Sequence, residues 1–296
     1  MRVAIVGLGL IGGSIARAVA QRRDWPVSAW DPDAAALRSA ARAGLVRPLP
    51  DARSAVEAAD LVVLAAPPLA NLDLVDALGP LVASRRVTLT DVSSTKVAIL
   101  ARAEAVAGLR FVGGHPLSGR EQAGFGASSA DLLAGRPWVF VAGRSARPGD
   151  LARVRALARG CGARPVRLDD PDLHDRAVAL ISHLPLVVSA ALAETATTAL
   201  DWSAARGLAA QGFASSTRLA RGDPALGAGI VATNAGPLAS ELRRLVAVLE
   251  GWATELEALA PAAAGLDSPA AGEQVERLER RLAAVRQRLL AELRLP

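Results

Sequence analysis

The sequence predicts an α/β domain built on a parallel sheet and followed by an all-helical half. Two observations lead to this fold class. Short apolar runs alternate with helical patterns through the first half, as expected of parallel strands joined by crossover helices. After the Asp-Asp-Pro at 169–171, only long Ala- and Leu-rich helical patterns follow. We therefore expect two domains, at residues 1–168 and 169–296, which suits a chain of 296 residues.

The elements of the first half follow one another in a regular order. Strands are predicted at Arg2–Val6, Val27–Trp30, Leu61–Ala65, Val87–Asp91, Arg110–Val112 and Trp138–Val141. Helices are predicted between them at Ile11–Gln21, Ala34–Ala43, Leu72–Leu78 and Lys96–Ala107. Because helices separate these strands, we expect the strands to run parallel.

The helical half carries two apolar stripes at three- and four-residue steps, with a small-residue linker at 261–274 between them. The stripes are Leu238, Leu242, Leu245, Leu249, Leu256 and Leu259, and then Val275, Leu278, Leu282, Val285, Leu289 and Leu293. They could pack within the chain or against a second copy, and for the last helix both explanations stay open. We expect a homodimer formed through this half. The most apolar stretch, 177–193, falls short of the roughly 20 apolar residues of a spanning helix, so we predict a buried helix and no membrane contact.

Composition and charge exclude several classes of protein. The chain is 51% apolar and 21% charged, which excludes a disordered or fibrous protein. Its net charge of +5 comes from dispersed arginines, so no nucleic-acid surface is predicted. The single cysteine, Cys161, excludes an internal disulfide, and without Cys/His ligand spacing no metal site is expected. Since the N-terminus lacks a signal-peptide pattern, we expect a cytoplasmic protein.

A glycine-rich turn follows the first predicted strand. Residues 7–14 read Gly-Leu-Gly-Leu-Ile-Gly-Gly-Ser and open a helix, the context in which G-x-G-x-x-G indicates a Rossmann-type dinucleotide-binding domain. One glycine makes the tight turn, the next admits a pyrophosphate, and the third lets helix and strand pack closely. The pyrophosphate would lie at the helix N-terminus, where unpaired N–H groups favour negative charge. The candidate cofactor-binding residues of this turn are Gly7, Gly9, Leu10, Ile11 and Gly12.

Asp31 ends the second predicted strand, about 20 residues beyond the glycines, where this fingerprint places a carboxylate on the adenosine ribose. A carboxylate there accepts hydrogen bonds from the 2′-hydroxyl and repels a 2′-phosphate, and the first following base is Arg38. The sequence therefore favours NAD over NADP. Capping of the next helix is the alternative role for Asp31, although Asp33 is better placed for it. The run at 62–68 ends at Ala66 and Pro67, where the nicotinamide half of the cofactor should lie.

Two further clusters follow predicted strands, at the edge where ligands bind in α/β sheets. His115 lies in Val-Gly-Gly-His-Pro-Leu-Ser-Gly at 112–119, which we interpret as a glycine-flanked loop. Residues 91–96 read Asp-Val-Ser-Ser-Thr-Lys; Ser94 and Thr95 could simply cap the following helix. Lys96 is the only lysine of the chain, which indicates a task that arginine cannot perform.

These segments together resemble the prephenate/arogenate dehydrogenase family of tyrosine biosynthesis. The similarity includes residues 7–14, 91–96 and 113–121, the His-Asp and Ser-His-Leu-Pro at 174–185, and Gly-Phe-Ala-Ser-Ser-Thr-Arg-Leu-Ala at 212–220 followed by Asp-Pro and Asn234. The resemblance implies NAD-dependent oxidative decarboxylation of prephenate or arogenate. By motif position His115 would bond the ring hydroxyl as the catalytic group, Ser94 would orient it, and Arg218 would bind a substrate carboxylate. Lys96 and His183 become substrate-binding candidates, although His183 in an apolar helix could equally be a core histidine.

The chain departs from the family pattern at three places. Leu186 stands where a second histidine is frequent, residues 214–216 read Ala-Ser-Ser for the usual Arg-Asp-Thr, and Gly227 replaces a common tryptophan. These changes concern the substrate side chain more than the hydride chemistry. Prephenate, arogenate and an amino-substituted prephenate all stay open as substrates. A β-hydroxyacid dehydrogenase, which would need a lysine in the helical half, and a non-catalytic NAD sensor are the alternative classes.

Overall fold

The computed structural model describes residues 1–22, 25–120, 122–259 and 269–292. Its sheet has eight strands in the order β3-β2-β1-β4-β5-β6-β7-β8, and every neighbouring pair is parallel except β6 and β7. The strands are β1 Val3–Val6, β2 Val27–Trp30, β3 Arg47–Pro48, β4 Leu61–Leu64, β5 Thr88–Asp91, β6 Phe111–Pro116, β7 Pro137–Ala142 and β8 Arg164–Leu168. Within the described ranges no strand follows β8, so the predicted change of architecture near residue 169 is confirmed.

Thirteen α-helices are seen in the described ranges, six of them among the strands. These six are α1 Leu10–Arg22, α2 Ala34–Arg42, α3 Ser54–Ala58, α4 Pro68–Arg85, α5 Val97–Glu104 and α6 Pro148–Gly160. The others are α7 Pro171–Val178, α8 Leu184–Thr197, α9 Trp202–Ala205, α10 Gln211–Ser216, α11 Pro224–Thr233, α12 Ala235–Leu259 and α13 Pro269–Glu292. A π-helical turn, Ala179–His183, joins α7 to α8.

All six predicted strands exist, and the four predicted helices exist with shifted ends. The sequence missed β3, β8, α3 and α6. β3 has only two residues, both exposed, and β8 is partly exposed along its length, so neither shows a buried apolar run. The expectation of a fully parallel sheet is wrong for β7, because no crossover α-helix separates it from β6.

Apolar side chains cover both faces of the sheet. Along β1, Val3 and Ile5 join one apolar cluster while Ala4 and Val6 join another, as the alternation of side chains in a strand requires. All four β1 residues are buried, which is the pattern of a parallel strand covered by helices on both sides. Since β1 lies between β2 and β4, the connections leaving β1 and β4 diverge here, and this switch point is where such sheets bind ligands.

The long apolar helix is less covered than expected. The run from Pro171 to Thr197 reaches the length and hydropathy of a membrane-spanning helix, yet only 22% of its most apolar window is buried in the chain. Ser189 is the only buried residue of α8. The prediction of a buried helix is therefore wrong for the single chain, because α8 is covered on only part of its surface.

The described residues divide into two compact units, 1–238 and 239–296. In the second unit α12 and α13 are joined by an ion pair of 2.8 Å between Arg281 and Glu255, and the Arg281 guanidinium lies 3.9 Å from the Trp252 ring centre. The predicted linker 261–274 is partly helical, since α13 begins at Pro269; residues 260–268 and Leu293 lie outside the described ranges. The predicted domain boundary after residue 168 stays a prediction.

Candidate active site

The turn after β1 explains why three glycines are needed. Gly7 has a φ of +103°, which disfavours other residues, and a Cβ there would lie 2.7 Å from the Ala65 backbone. A Cβ on Gly12 would overlap the Gly7 carbonyl oxygen. At Gly9, by contrast, a Cβ would meet no protein atom, so the space beside this backbone is open. The turn therefore fits the pyrophosphate of a dinucleotide, which needs a close approach to bare backbone.

Asp31 follows β2 and contacts the same turn. One carboxylate oxygen accepts a hydrogen bond from the Leu8 N–H, and the other accepts from the Asp33 N–H at 2.7 Å. The cap of α2 is Asp33, whose side chain accepts from the Ala35 N–H at 2.8 Å, as expected. Asp31 is thus not the helix cap, and its carboxylate keeps acceptor capacity for a ribose hydroxyl.

A cavity of about 350 Å³ opens beside the glycine turn. It brings together predicted residues from four separate segments of the chain. Its lining includes Gly9, Leu10, Ile11, Ala66, Pro67, Ser94 and His115. Gly7, Gly12, Asp31, Lys96, His183 and Arg218 are not among its lining residues. The cofactor and catalytic candidates therefore meet at one place, whereas the candidates for substrate binding are spread more widely.

His115 lies on β6 and not in a loop, which corrects the sequence interpretation. The strand continues through both glycines to Pro116 because β7 pairs with it in antiparallel register. The His115 side chain is 8% exposed, and its Nδ1 lies 3.0 Å from Nε2 of His174. In turn Nδ1 of His174 lies 2.7 Å from a carboxylate oxygen of Asp175. These three side chains form a buried chain of polar contacts that ends at the cavity.

Asp175 also caps helix α5 from outside that helix. Its two carboxylate oxygens accept from the Lys96 N–H at 2.7 Å and the Val97 N–H at 2.9 Å. A negative charge at these unpaired N–H groups is favourable. The N-cap residue of α5 is Lys96, and its side chain makes no capping hydrogen bond. Because Asp175 caps the helix, the alternative that Ser94 or Thr95 does so is wrong. Ser94 instead lines the cavity with His115.

For neutral histidines, the contact chain implies where the protons lie. An ionised carboxylate only accepts, so Nδ1 of His174 donates to Asp175, and in neutral His174 the Nε2 atom is then an acceptor. It follows that Nδ1 of His115 donates to His174 and that Nε2 of neutral His115 carries the lone pair. Burial, together with the neighbouring His174, Lys96 and His183, holds the pKa of His115 well below its usual 6.5. His115 is therefore neutral and able to accept a proton at pH 7.

Lys96 is fully buried. Its ammonium donates to the Asp91 carboxylate and to the Gly114 carbonyl, both at 2.6 Å, and Asp91 is equally buried. Burial lowers the pKa of Lys96, while the charges of Asp91 and Asp175 oppose that shift. Direct contact between Lys96 and a substrate is not supported by this placement. What distinguishes this lysine is its buried ion pair with Asp91, next to His115.

His183 lies in the π-helical turn, a feature frequent at functional sites. Its Nδ1 lies 3.0 Å from the Asn234 side-chain nitrogen, which also donates to the Asp175 carbonyl at 2.8 Å. Since Asn234 donates here, Nε2 of neutral His183 carries the proton, and it is buried without a partner. Burial lowers the pKa of His183 to about 4, with His174 adding to the shift and Asp175 opposing it. The Nε2 N–H of His183 is therefore available to donate to a substrate. His183 does not, however, line the cavity beside the glycine turn.

Arg218 lines a second cavity, of about 580 Å³. The two cavities share Arg120 and Gln122 in their walls and so adjoin each other. The structure therefore places Arg218 next to the cavity that holds His115 and not inside it.

Sequence reasoning missed His174 and Asp175 as site residues, although the adjacent His-Asp pair at a helix start was a visible signal. It also missed Asn71 on α4. Its side chain accepts from the Ala66 N–H at 3.2 Å and donates to the Ser93 hydroxyl at 2.9 Å, joining the segments that follow β4 and β5. No sequence signal pointed to Asn71. Over the described part of the chain, no group of three or more His, Cys, Asp or Glu side chains is placed to hold a metal ion.

The fold and the glycine turn place the chain among the dinucleotide-binding proteins of the doubly wound α/β class. Residues 15–167 match the model of the prephenate dehydrogenase nucleotide-binding domain, and residues 170–265 match that of the prephenate dehydrogenase dimerization domain. The chain therefore belongs to the prephenate dehydrogenase family, a family of oxidoreductases. This confirms the resemblance and the fold class predicted from the sequence, and it excludes the β-hydroxyacid dehydrogenase alternative.

Individual relatives agree with this assignment. Prephenate dehydrogenase of Bacillus subtilis is 30% identical over 76% of this chain and 62% of its own length. A protein of Streptomyces niveus named "Probable prephenate dehydrogenase NovF" is 32% identical over 91% of this chain and 73% of its own length. The chain thus spans less than two thirds of the Bacillus relative.

Two solved structures share the fold along almost the whole chain. Synechocystis arogenate dehydrogenase is 27% identical with a TM-score of 0.70, and the match covers 97% of this chain and 99% of the other. Prephenate dehydrogenase from Aquifex aeolicus, in complex with hydroxyphenyl propionate and NAD⁺, is 22% identical with a TM-score of 0.74, covering 96% and 98%.

Proposed function

We propose that this protein catalyses the NAD-dependent oxidative decarboxylation of prephenate or arogenate, giving 4-hydroxyphenylpyruvate or tyrosine. The observation that carries the proposal is the buried His115–His174–Asp175 chain, which ends at a cavity shared with the glycine turn. Membership of the prephenate dehydrogenase family supports the same reaction.

The residues divide the work as follows. Nε2 of His115 accepts the proton of the ring hydroxyl, and His174 and Asp175 hold the imidazole in the tautomer that leaves Nε2 free. Ser94 orients the hydroxyl from another segment that lines the same cavity. NAD⁺, when bound along the glycine turn, supplies the hydride acceptor. The ring carboxylate leaves as CO₂, and aromatisation of the ring makes both bond cleavages favourable.

The direct test follows NADH formation at 340 nm with prephenate and with arogenate, and identifies the aromatic product and the CO₂ released. Stoichiometric NADH, CO₂ and aromatic product support the proposal. A protein that binds NAD⁺ but turns over neither of these substrates, nor an amino-substituted prephenate, would instead be a sensor, the alternative that the sequence left open.

Arg218 is proposed to bind a substrate carboxylate through its planar fork of donors. We expect Arg218→Ala to raise the substrate KM by roughly 10- to 150-fold, since the loss of such a contact costs about 1.5–3 kcal/mol. The change in kcat should be smaller, because the contact exists in the ground state and the transition state alike. Arg218→Lys should recover only part of the loss. Steady-state kinetics measure both constants, and an unchanged KM contradicts the assignment.

We infer that NAD is preferred to NADP because of Asp31. Asp31→Ser should narrow the ratio of kcat/KM for NAD⁺ over NADP⁺, since it removes the carboxylate that repels a 2′-phosphate. The matched control is Asp33→Ser, which keeps a residue able to cap α2 and leaves Asp31 in place. A wild-type enzyme that uses both cofactors equally well argues against this role.

We propose a homodimer formed through the helical half. Residues 170–265 match a dimerization domain, and within α8 only Ser189 is fully buried by its own chain. A second copy of the chain that covers α8 explains the high hydropathy of this helix without a membrane. Such a homodimer agrees with the cytoplasmic location and the small-molecule substrate that we expect from the sequence. Light scattering at micromolar concentration should give twice the mass of 30.4 kDa. A stable monomer contradicts the proposal.

A further inference from the structure

Asn71 is a fully buried amide on α4 that touches the cavity wall from behind. Its side chain is 0% exposed, and Asn71 is not among the residues that line the cavity beside the glycine turn. A buried amide is costly unless its donors and acceptor are paired, so the partners of this side chain show what it holds together. These partners belong to the segments that follow two different strands, β4 and β5.

The Asn71 amide bridges two segments of the cavity wall. Its Oδ1 accepts from the Ala66 N–H at 3.2 Å, and its Nδ2 donates to the Ser93 hydroxyl at 2.9 Å. Ala66 and Pro67 line the cavity on one side of this bridge, and Ser93 and its neighbour Ser94 line it on the other. The amide therefore fixes the separation between the end of β4 and the end of β5 at the cavity.

The line of hydrogen bonds continues from Ser93 toward the catalytic histidine. The Ser93 N–H donates to one carboxylate oxygen of Asp91 at 2.8 Å, and the other oxygen accepts from the Gly114 N–H, also at 2.8 Å. Gly114 directly precedes His115 on β6. Ser93 is 5% exposed and Asp91 0%, and hydrogen bonds are stronger in such a poorly solvated region. One buried network thus connects Ala66 with the strand that carries His115.

The two ends of this network face the two partners of the hydride transfer. Ala66 and Pro67 lie where we expect the nicotinamide ring, whereas Ser94 and His115 are proposed to hold the hydroxyl of the substrate. Hydride transfer requires the reacting atoms to approach to about 3–3.5 Å, and a misplacement of about 1 Å can cost about 100-fold in rate. The separation of these two parts of the wall therefore affects the rate directly.

We propose that Asn71 is a positioning residue for the hydride transfer: it sets the distance between the wall at Ala66, which holds the nicotinamide ring, and the wall at Ser93 and Ser94, which holds the substrate hydroxyl. The inference rests on the proposed function and deepens it by adding a residue that touches neither reactant. A residue that only stabilised α4 would change the amount of folded protein and leave the rate per folded site unaltered.

The first test is Asn71→Leu, which removes both hydrogen bonds and keeps a side chain of similar size. We expect kcat per NAD⁺-binding site to fall by roughly 10- to 100-fold. The substrate KM and the affinity for NAD⁺ should change little, because Arg218 and the glycine turn are unaltered. Titration with NAD⁺ counts the folded sites, so unfolded protein does not enter the rate.

Val75→Ala is the matched control on the same helix. Val75 is fully buried among apolar side chains and lines neither cavity, so its truncation should lower the melting temperature and keep the wild-type kcat per site. A wild-type kcat per site in Asn71→Leu, or an equal loss in Val75→Ala, overturns the inference while the proposed function stands. A wild-type enzyme that turns over none of the proposed substrates refutes the proposed function, and the inference falls with it.

The second test is a double-mutant cycle with Ser93→Ala, which breaks the bridge at one end and leaves the Ala66 contact in place. We expect Ser93→Ala to lower kcat about as much as Asn71→Leu, and the double variant to be no slower than either, since all three break the same connection. The control is Ser84→Ala, at an exposed serine of the same helix. A wild-type kcat in Ser93→Ala shows that Asn71 serves only the Ala66 N–H, and additive losses show that the two side chains act separately. Either result refutes the bridge.

Amide hydrogen exchange of the free protein gives a readout that needs neither cofactor nor turnover. In Asn71→Leu the exchange should become faster in peptides that contain Ala66 and also in peptides that span 92–95, although Ser93 is 22 positions from the substitution. Val75→Ala should leave the exchange at 92–95 unchanged. If Asn71→Leu also leaves it unchanged, Asn71 does not hold this segment, and the inference is overturned even where the activity has fallen.

Discussion

The substitution His115→Asn is expected to lower kcat by roughly 10²- to 10⁴-fold, the usual contribution of a positioned acid–base group. The asparagine removes the imidazole nitrogen that accepts the hydroxyl proton and leaves a polar side chain of similar size. The KM for substrate and the affinity for NAD⁺ should change little, because neither Arg218 nor the glycine turn is altered. Steady-state kinetics and a separate NAD⁺ titration measure these effects. A variant with raised KM and unchanged kcat would show that His115 binds the substrate and does not take its proton.

The pH profile of the wild-type enzyme provides a second measurement of the same group. Because burial holds the pKa of His115 below 6.5, the imidazole becomes protonated, and so inactive as a base, only at lower pH. The acid limb of kcat/KM should therefore lie below pH 6.5, and activity should persist as the pH falls from 7 to 6. In His115→Asn this limb should disappear. An acid limb at or above pH 6.5 that depends on His115 contradicts a lowered pKa.

The substitution Lys96→Met should destabilise the protein by about 3–5 kcal/mol. Lys96 and Asp91 are both 0% exposed, so removal of the ammonium leaves the carboxylate buried without a counter-charge. The Gly114 carbonyl, one residue before His115, also loses its donor. We therefore expect a lower kcat in whatever fraction remains folded. Urea unfolding, monitored by circular dichroism, measures the change in free energy.

Two controls separate the buried pair from a general charge effect. Arg102→Met breaks an ion pair with Asp76 of similar length, 2.8 Å, but both side chains are about half exposed, so the expected cost is below about 1 kcal/mol. The double variant Lys96→Met/Asp91→Asn removes both buried charges and should be more stable than Lys96→Met alone. If Lys96→Met lowers the free energy of unfolding no more than Arg102→Met does, the buried ion pair does not stabilise the protein as expected.

Local patterns predicted much of the fold. The apolar strands, the glycine turn and the change to helices after residue 168 each depend on residues close together in sequence, so periodicity and turn chemistry reveal them. β3 and β8 could not be recognised in this way because neither is a buried apolar run. The continuation of β6 through two glycines depends on pairing with β7, and that partner is distant in sequence. The incomplete burial of α8 depends on which surfaces the rest of the chain covers.

The candidate site also has some features that the sequence predicted and others that depend on the fold. Gly9, Ala66 and Ser94 each follow a strand and His115 lies near the end of one, and the sequence alone predicted that they would gather at one edge of the sheet. The contact between His115 and His174 joins residues 59 positions apart, and no local pattern encodes it. Lys96 was conspicuous in the sequence as the only lysine, yet its task became clear only with Asp91 and the Gly114 carbonyl around it.

The sequence by itself determined the family, the class of fold and the kind of cofactor, because these depend on motifs whose residues act within a single turn or strand end. The tertiary structure decided which nitrogen of His115 is free to accept a proton, since that depends on a carboxylate reached through a second histidine. It also decided which arginines line the second cavity. Arg120 and Arg221 are 101 positions apart and mean little as isolated arginines in a chain that uses arginine throughout. Only folding brings them into the wall of one cavity, because they belong to parts of the fold that are distant in sequence.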